Sequence, residues 1–134
     1  MKKDLHHPKV ENVTLAVTRE KGNLGQWVWK VHLINNNPFD ITNTLVSSTG
    51  YGEKNGEYQK TSTLRHFLET VEAHGSSVIE TIDPAVFHLN NEYWVSYYVG
   101  NEILDKKFVF LPDSICEENL TFIKELEQEG VLHS

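Results

Sequence analysis

The sequence predicts an all-β fold: a single antiparallel sandwich of about seven strands with a C-terminal tail packed on it. Three observations lead to this prediction. Apolar and polar residues alternate with a period of two along most of the 134-residue chain, the pattern of strands with one buried face. Clusters of Gly, Asn and Pro interrupt the alternation at short intervals. No strand-helix-strand repeat follows, so a parallel sheet is not expected and residues 1–134 are assigned to one domain.

Six segments show the strand pattern clearly. In chain order they are ENVTLAVTRE, QWVWKVHLINN, ITNTLVSST, SSVIETI, NEYWVSYYV and ILDKKFVFL. Turn-forming stretches, KGNLG, NNNPFD and GNE among them, separate several of these segments. The alternation assigns Trp29, Val95 and Phe108 to the core, and it places His32 on the opposite face of its strand.

Three further segments are less regular. Residues 63–74 match a helical spacing through Leu64, Phe67, Leu68 and Val71, but a seventh strand is favoured because a break precedes VIETI. A short helical turn is expected at DPAVF, since Pro84 suits a first helical position. The tail, residues 112–134, is predicted to dock on the domain either as an acidic helix or in extended form.

Composition and charge exclude several kinds of partner. The formal net charge is −7, and residues 113–129 alone carry −5. Lys and Arg occur singly or in pairs, whereas nucleic acids and anionic membranes require clusters of them. We therefore expect neither nucleic acid nor a membrane as a partner.

The cysteine content and the N-terminus bear on localisation. Cys116 is the only cysteine, so an internal disulfide and a cysteine-based zinc site are both excluded. Residues 1–9, expected to be a loose N-terminus, lack the apolar stretch of a secretory signal, and no apolar run is long enough to span a membrane. These features predict a cytoplasmic protein.

The stretch STGYGEKNGEYQKTSTLRH, residues 48–66, is the part of the chain most like a phosphate site. Gln59, rather than glycine, precedes Lys60, so the phosphate-binding loop motif is not met. The better interpretation is a mobile loop between strands. A narrower hypothesis is that Lys60, Arg65 and His66, lying among hydroxyl side chains, bind a carboxylate or a phosphate.

The aromatic strand suggests a binding surface. Trp94 and Tyr98 are predicted to lie outward on one face, about 13 Å apart at ~3.3 Å per residue, with Lys107 on the neighbouring strand as a polar rim residue. Exposed aromatic pairs are typical of interfaces. The alternative is that the tail covers them through Leu120, Phe122 or Ile123.

The sequence supplies no catalytic or metal-binding motif. The seven histidines form none of the usual ligand spacings, and most are expected at the surface. There is no nucleophile elbow, and the acidic neighbours of Cys116, Glu117 and Glu118, disfavour its thiolate. We therefore predict no cofactor, no metal and no catalytic residue.

At QKTSTLRH, NNEYWVSYYV and DKKFVFLPDSI the sequence resembles a family of small bacterial proteins of uncharacterised activity, over nearly the whole chain. The resemblance implies an immunoglobulin-like sandwich. Some members of that family are labelled as an alpha subunit of phenylalanyl-tRNA synthetase. The arginine-bearing motifs and the glycine-rich ATP segment of such an enzyme match no position here.

Three functional hypotheses follow from the sequence. The first is a non-enzymatic module that binds another protein or its own copy through Trp94 and Tyr98. The second is a small-anion or metabolite site, possibly enzymatic, at the loop containing Lys60 and His66. The third, a synthetase-associated protein that contacts tRNA, is disfavoured by the charge distribution.

Overall fold

The computed structural model describes residues 10–134, which form two antiparallel sheets packed around one core. Residues 1–9, for which the sequence predicts a loose N-terminus, lie outside the described part of the chain. The ten strands are β1 Val13–Lys21, β2 Trp27–Asn35, β3 Ile41–Lys54, β4 Glu57–Lys60, β5 Leu64–Val71, β6 Ser76–Ile82, β7 Asn90–Val99, β8 Glu102–Phe110, β9 Thr121–Ile123 and β10 Gln128–His133. Short 3₁₀ turns lie at Pro84–Val86 and Glu117–Asn119. Within residues 10–134, no helix has the length and apolar character needed to cross a bilayer.

Sheet 1 has the order β6-β2-β1-β10-β9. In sheet 2, β3 pairs with β7 along one side and with β4 and β5 along the other, and β8 lies beyond β7. The inward faces of both sheets bury the core, which includes Leu15 and Val31 from sheet 1 and Val95 and Phe108 from sheet 2. The all-β, antiparallel prediction is therefore confirmed.

The structure has three more strands than the sequence suggested, and β4 is one of them. It arises where a mobile loop was expected, so that prediction is wrong. β3 continues to Lys54, and a two-residue turn at Asn55 and Gly56 returns the chain into β4. Both turn residues have positive φ, +56° and +83°, as a tight hairpin turn requires and as Asn and Gly tolerate.

The other two additional strands come from the tail. Residues 121–133 form a hairpin of two strands joined by a turn, not a helix, and β10 pairs with β1. Ile123, the last residue of β9, packs with Ala16, Ile34 and Leu126 on the outer face of sheet 1. The segment from Leu64 to Val71 is a strand, as favoured, and the turn at Pro84 forms as expected.

His32 is buried on the outer side of sheet 1 although the sequence pattern placed it among surface residues. The side chain is only 8% exposed, and its Nε2 lies 2.8 Å from the Thr18 hydroxyl. Burial lowers the pKa of His32 below 6.5; the nearby Lys30 acts in the same direction, and Glu20 opposes them. The folded protein therefore favours the neutral imidazole.

A pH dependence of stability follows from His32. Because its folded pKa is lowered, the unfolded chain binds more protons below pH 6.5, so stability is complete above that pH and falls as pH drops toward the lowered value. The slope can approach ~1.4 kcal/mol per pH unit in that window. We expect the His32→Gln variant to show a shallower acid loss in urea unfolding between neutral and mildly acidic pH. Parallel curves for the two proteins would contradict the assignment.

Candidate functional site

The outer face of sheet 2 carries a patch of large apolar side chains. Leu45 is 50% exposed, Phe67 56%, Trp94 43% and Ile103 55%, while Tyr98 is half-buried. Strand register brings them together: Leu45 pairs with Phe67, and Tyr98 pairs with Ile103. We call these five residues the apolar patch.

Two β-bulges turn Leu45 and Phe67 outward. The register shifts on both sides of Thr44, so that β3 and β5 each hold an extra residue there. Asn43 and Glu69 adopt left-handed φ values of +48° and +60° in this region. A shift of one residue reverses which face a side chain occupies. Ile41, before the bulge, points inward. In an unbroken strand Leu45, four residues later, would share that face, but it points outward.

This arrangement is costly for stability. A non-glycine residue in the left-handed region is disfavoured by about 1 kcal/mol or more, less for Asn than for Glu. Leaving a Leu or Phe half exposed forgoes roughly 1 kcal/mol of burial each. Exposed apolar patches of this kind mark interaction sites more often than isolated exposed residues do.

Charged residues of both signs surround the apolar patch. Across the strands the register places Arg65, Ser47, Trp94 and Lys107 in one row. Lys107 Nζ lies 4.0 Å from Glu92 Oε1. In the next row, an exposed Asp105 stands opposite Ser96. Lys107 thus lies beside Trp94, in the place that the sequence predicts for a polar rim residue.

The tail does not cover Trp94 and Tyr98, so that alternative is wrong. The tail joins sheet 1 through β10, because its strand pairing goes to β1. Of the proposed covering residues, Ile123 packs on sheet 1, Leu120 lies against the main core, and Phe122 is 67% exposed.

The second set of candidate residues, Lys60, Arg65 and His66, does not converge. Lys60 pairs with Tyr51 and Arg65 with Ser47, positions four residues apart on β3 and so about 13 Å apart. Arg65 faces outward beside the apolar patch. His66 faces inward, where its Nε2 lies 2.7 Å from Glu80 Oε1. Neighbouring residues on a strand point to opposite faces, which separates Arg65 from His66.

Glu80 is a site residue that sequence reasoning missed. It comes from sheet 1 and reaches three side chains of sheet 2. Ser48 Oγ donates to Oε1 at 2.9 Å, Tyr93 Oη donates to Oε2 at 2.8 Å, and His66 completes the set. Burial raises the pKa of Tyr93, and the Glu80 carboxylate raises it further, so the phenol keeps its proton and remains a donor.

A bulge in β6 explains why Glu80 points inward. The register shifts between Val31 and His32, so that Glu80 pairs with the buried Val31, and Ile79 is the extra residue. Without the bulge, Glu80 would lie on the outer face together with the exposed Val78, because residues two apart on a strand share a face. The one sequence signal was an acidic residue between the apolar residues Ile79 and Ile82 of the VIETI segment.

Comparison of the chain with family models, with curated proteins and with solved structures found no match. The family resemblance described above therefore stays a prediction. Within residues 10–134, no three His, Cys, Asp or Glu side chains come together as a metal site would require.

Proposed function

We propose that this protein is a non-enzymatic, immunoglobulin-like binding module that docks through the outer face of sheet 2 onto a second copy of itself. The observation that carries the proposal is the outward turn of Leu45 and Phe67 by paired bulges. Strained backbone at two non-glycine positions keeps large apolar side chains in solvent, and such strain persists where a function selects it.

The strand order supports the immunoglobulin-like part of the proposal. The three strands β6-β2-β1 face β5-β3-β7-β8, which corresponds to E-B-A facing C′-C-F-G in the lettering of that fold. In this correspondence the apolar patch lies on the C-F-G sheet. The β9–β10 hairpin extends the other sheet beyond strand A.

Charge supports a second copy as the occupant. A surface that carries Arg65 and Lys107 together with Glu92 and Asp105 is self-complementary, because a symmetric contact can pair each sign with its opposite. The tail, which holds most of the net negative charge, belongs to sheet 1. Face-to-face contact through sheet 2 keeps the two acidic tails on the far sides of the pair, where their repulsion is screened.

Sedimentation equilibrium over a wide concentration range tests the proposal. We expect the wild-type chain to dimerise and the Leu45→Lys/Phe67→Lys variant to be monomeric, because two buried cations would face each other across the contact. The Trp94→Ala/Tyr98→Ala variant should also lose dimerisation. Both variants should unfold within about 1 kcal/mol of wild type, since the substituted side chains are half-buried or exposed.

The matched control is Phe122→Lys, which changes an exposed aromatic residue on sheet 1 and should leave the dimer intact. A wild-type chain that stays monomeric at every concentration would overturn docking onto a second copy. A dimer that persists in both patch variants would overturn the choice of face.

A further inference from the structure

A cleft of about 220 Å³ lies between the two sheets, next to Glu80. Its walls come from β3, the β4–β5 connection and the first residue of β5, from β6 and the turn that follows it, and from the start of β7. Thr61 and Ser62 contribute hydroxyls on one side, and the exposed Asp83 lies on another. The volume is below the ~300–1,000 Å³ of sites for drug-sized ligands, so an occupant must be small.

The charges that line the cleft are negative. Glu80 and Asp83 are both lining residues, and the lining found within residues 10–134 includes no Lys or Arg. Among the described lining residues, Glu80 and Asp83 are the two with a formal charge, and both are acidic. This disfavours the small anion that the sequence pattern had suggested for the same segment of chain.

The Glu80 carboxylate has capacity for one more donor. Oε1 already accepts from Ser48 and His66, whereas among residues 10–134 Oε2 has Tyr93 as its one donor. A carboxylate oxygen accepts about two hydrogen bonds. The Glu80 side chain is 12% exposed, so a ligand donor that reaches Oε2 makes a charge-assisted bond with little competition from water.

One part of the cleft wall is apolar. Leu64, Ile82 and Val86 line it together with the Tyr93 ring. Leu64 is 52% exposed although it lies at the cleft, so a bound apolar group would remove part of its surface from water. The cleft thus combines the partly shielded Glu80 carboxylate with apolar side chains that a short hydrocarbon group can contact.

We propose that this cleft binds a small primary amine as its ammonium ion, with the charged nitrogen donating to Glu80 Oε2 and an apolar body against Leu64, Ile82 and Val86. The site is separate from the apolar patch, because Glu80 and Tyr93 face the interior of the sandwich and Trp94 faces outward. It gives the chain a ligand-binding activity in addition to self-association.

Isothermal titration calorimetry with 2-phenylethylamine tests the proposal. 2-Phenylethanol and 3-phenylpropionate serve as neutral and anionic probes of similar shape. We expect the amine to bind and to raise the melting temperature of the wild-type chain. Neither the alcohol nor the carboxylate should do so. The Glu80→Gln variant should bind the amine about tenfold more weakly or worse, since it loses the charge of the acceptor.

Ser62→Trp provides a second test, because it fills the cleft from its exposed side without touching the Glu80 hydrogen bonds, and it should also abolish binding. Glu92→Gln, which removes a carboxylate from the outer face, is the matched control and should bind normally. The Leu45→Lys/Phe67→Lys variant should bind normally too, which separates this proposal from self-association. Absence of amine binding to wild type, preference for 3-phenylpropionate, or unchanged binding by Glu80→Gln would each overturn the proposal.

Discussion

Replacing Asn35 by alanine should lower the free energy of unfolding by about 4 kcal/mol and the melting temperature by roughly 15 °C. Asn35 is fully buried at the end of β2. Its Nδ2 donates to the carbonyl oxygens of Phe39, Val71 and Glu72 at 2.9 to 3.1 Å. Its Oδ1 accepts from the backbone and side-chain nitrogens of Asn37 at 3.0 Å.

The size of this effect comes from the groups that alanine would leave unpaired. Each buried polar group without a partner costs about 1–3 kcal/mol, and Asn35 serves several in two different connections, β2–β3 and β5–β6. An Asn35→Asp variant should be worse, because a carboxylate cannot donate and would face carbonyl oxygens. Urea unfolding measures both variants.

Asn36→Ala is the matched control for Asn35. Asn36 is the neighbouring residue, and within the described part of the chain its side chain has one hydrogen bond, an exposed one donated to Glu125 at 2.9 Å. Its loss should cost less than about 1 kcal/mol. An Asn35→Ala variant as stable as Asn36→Ala would show that the carbonyl groups find water when the side chain is removed.

The second large effect is expected from Gly130→Val. A Cβ atom at position 130 would lie 2.7 Å from the Val17 carbonyl oxygen and 2.7 Å from Ile123 Cδ1. The first of these atoms belongs to the backbone of the strand that β10 pairs with, so it cannot rotate away. We expect a loss of about 3 kcal/mol and faster hydrogen exchange at residues 128–133, with β7 remaining protected.

Glu129→Val places the same side chain one residue earlier, at an exposed position, and should leave both stability and exchange close to wild type. If the backbone amides of β10 exchange as slowly in the Gly130→Val variant as in the Glu129→Val variant, the close approach of β10 to β1 is disproved. The comparison isolates the contact between the tail and β1 from any general effect of a β-branched residue.

The sequence predicted the elements whose alternation is unbroken. Trp29, Val95 and Phe108 are buried, and Trp94 is exposed, because β2, β7 and β8 keep a period of two over these residues. Alternation does not carry across a bulge. Leu45 and Glu80 each follow an extra residue, and Phe67 precedes one; alternation cannot reveal such residues, although Asn43 is of a type that tolerates the left-handed conformation.

Candidate residues close in sequence were a poor guide to the site. Lys60, Arg65 and His66 are neighbours along the chain, but they lie on different strands or faces. Glu80, Ser48 and Tyr93 are far apart in sequence and meet only because two sheets face each other. Which inward residues meet depends on the stacking of the sheets, and no local pattern records that.

The pairing of β1 with β10 has a consequence for how the chain is made. β1 leaves the ribosome well before β10, and its edge opposite β2 stays open until residues 128–133 emerge more than a hundred residues later. During that time β1 offers unpaired backbone groups, a template for joining another nascent chain. The pairing of β1 with β10 also joins distant parts of the sequence, and such long-range contacts slow folding. A chain truncated before β10 would therefore keep the β1 edge unpaired and prone to aggregation.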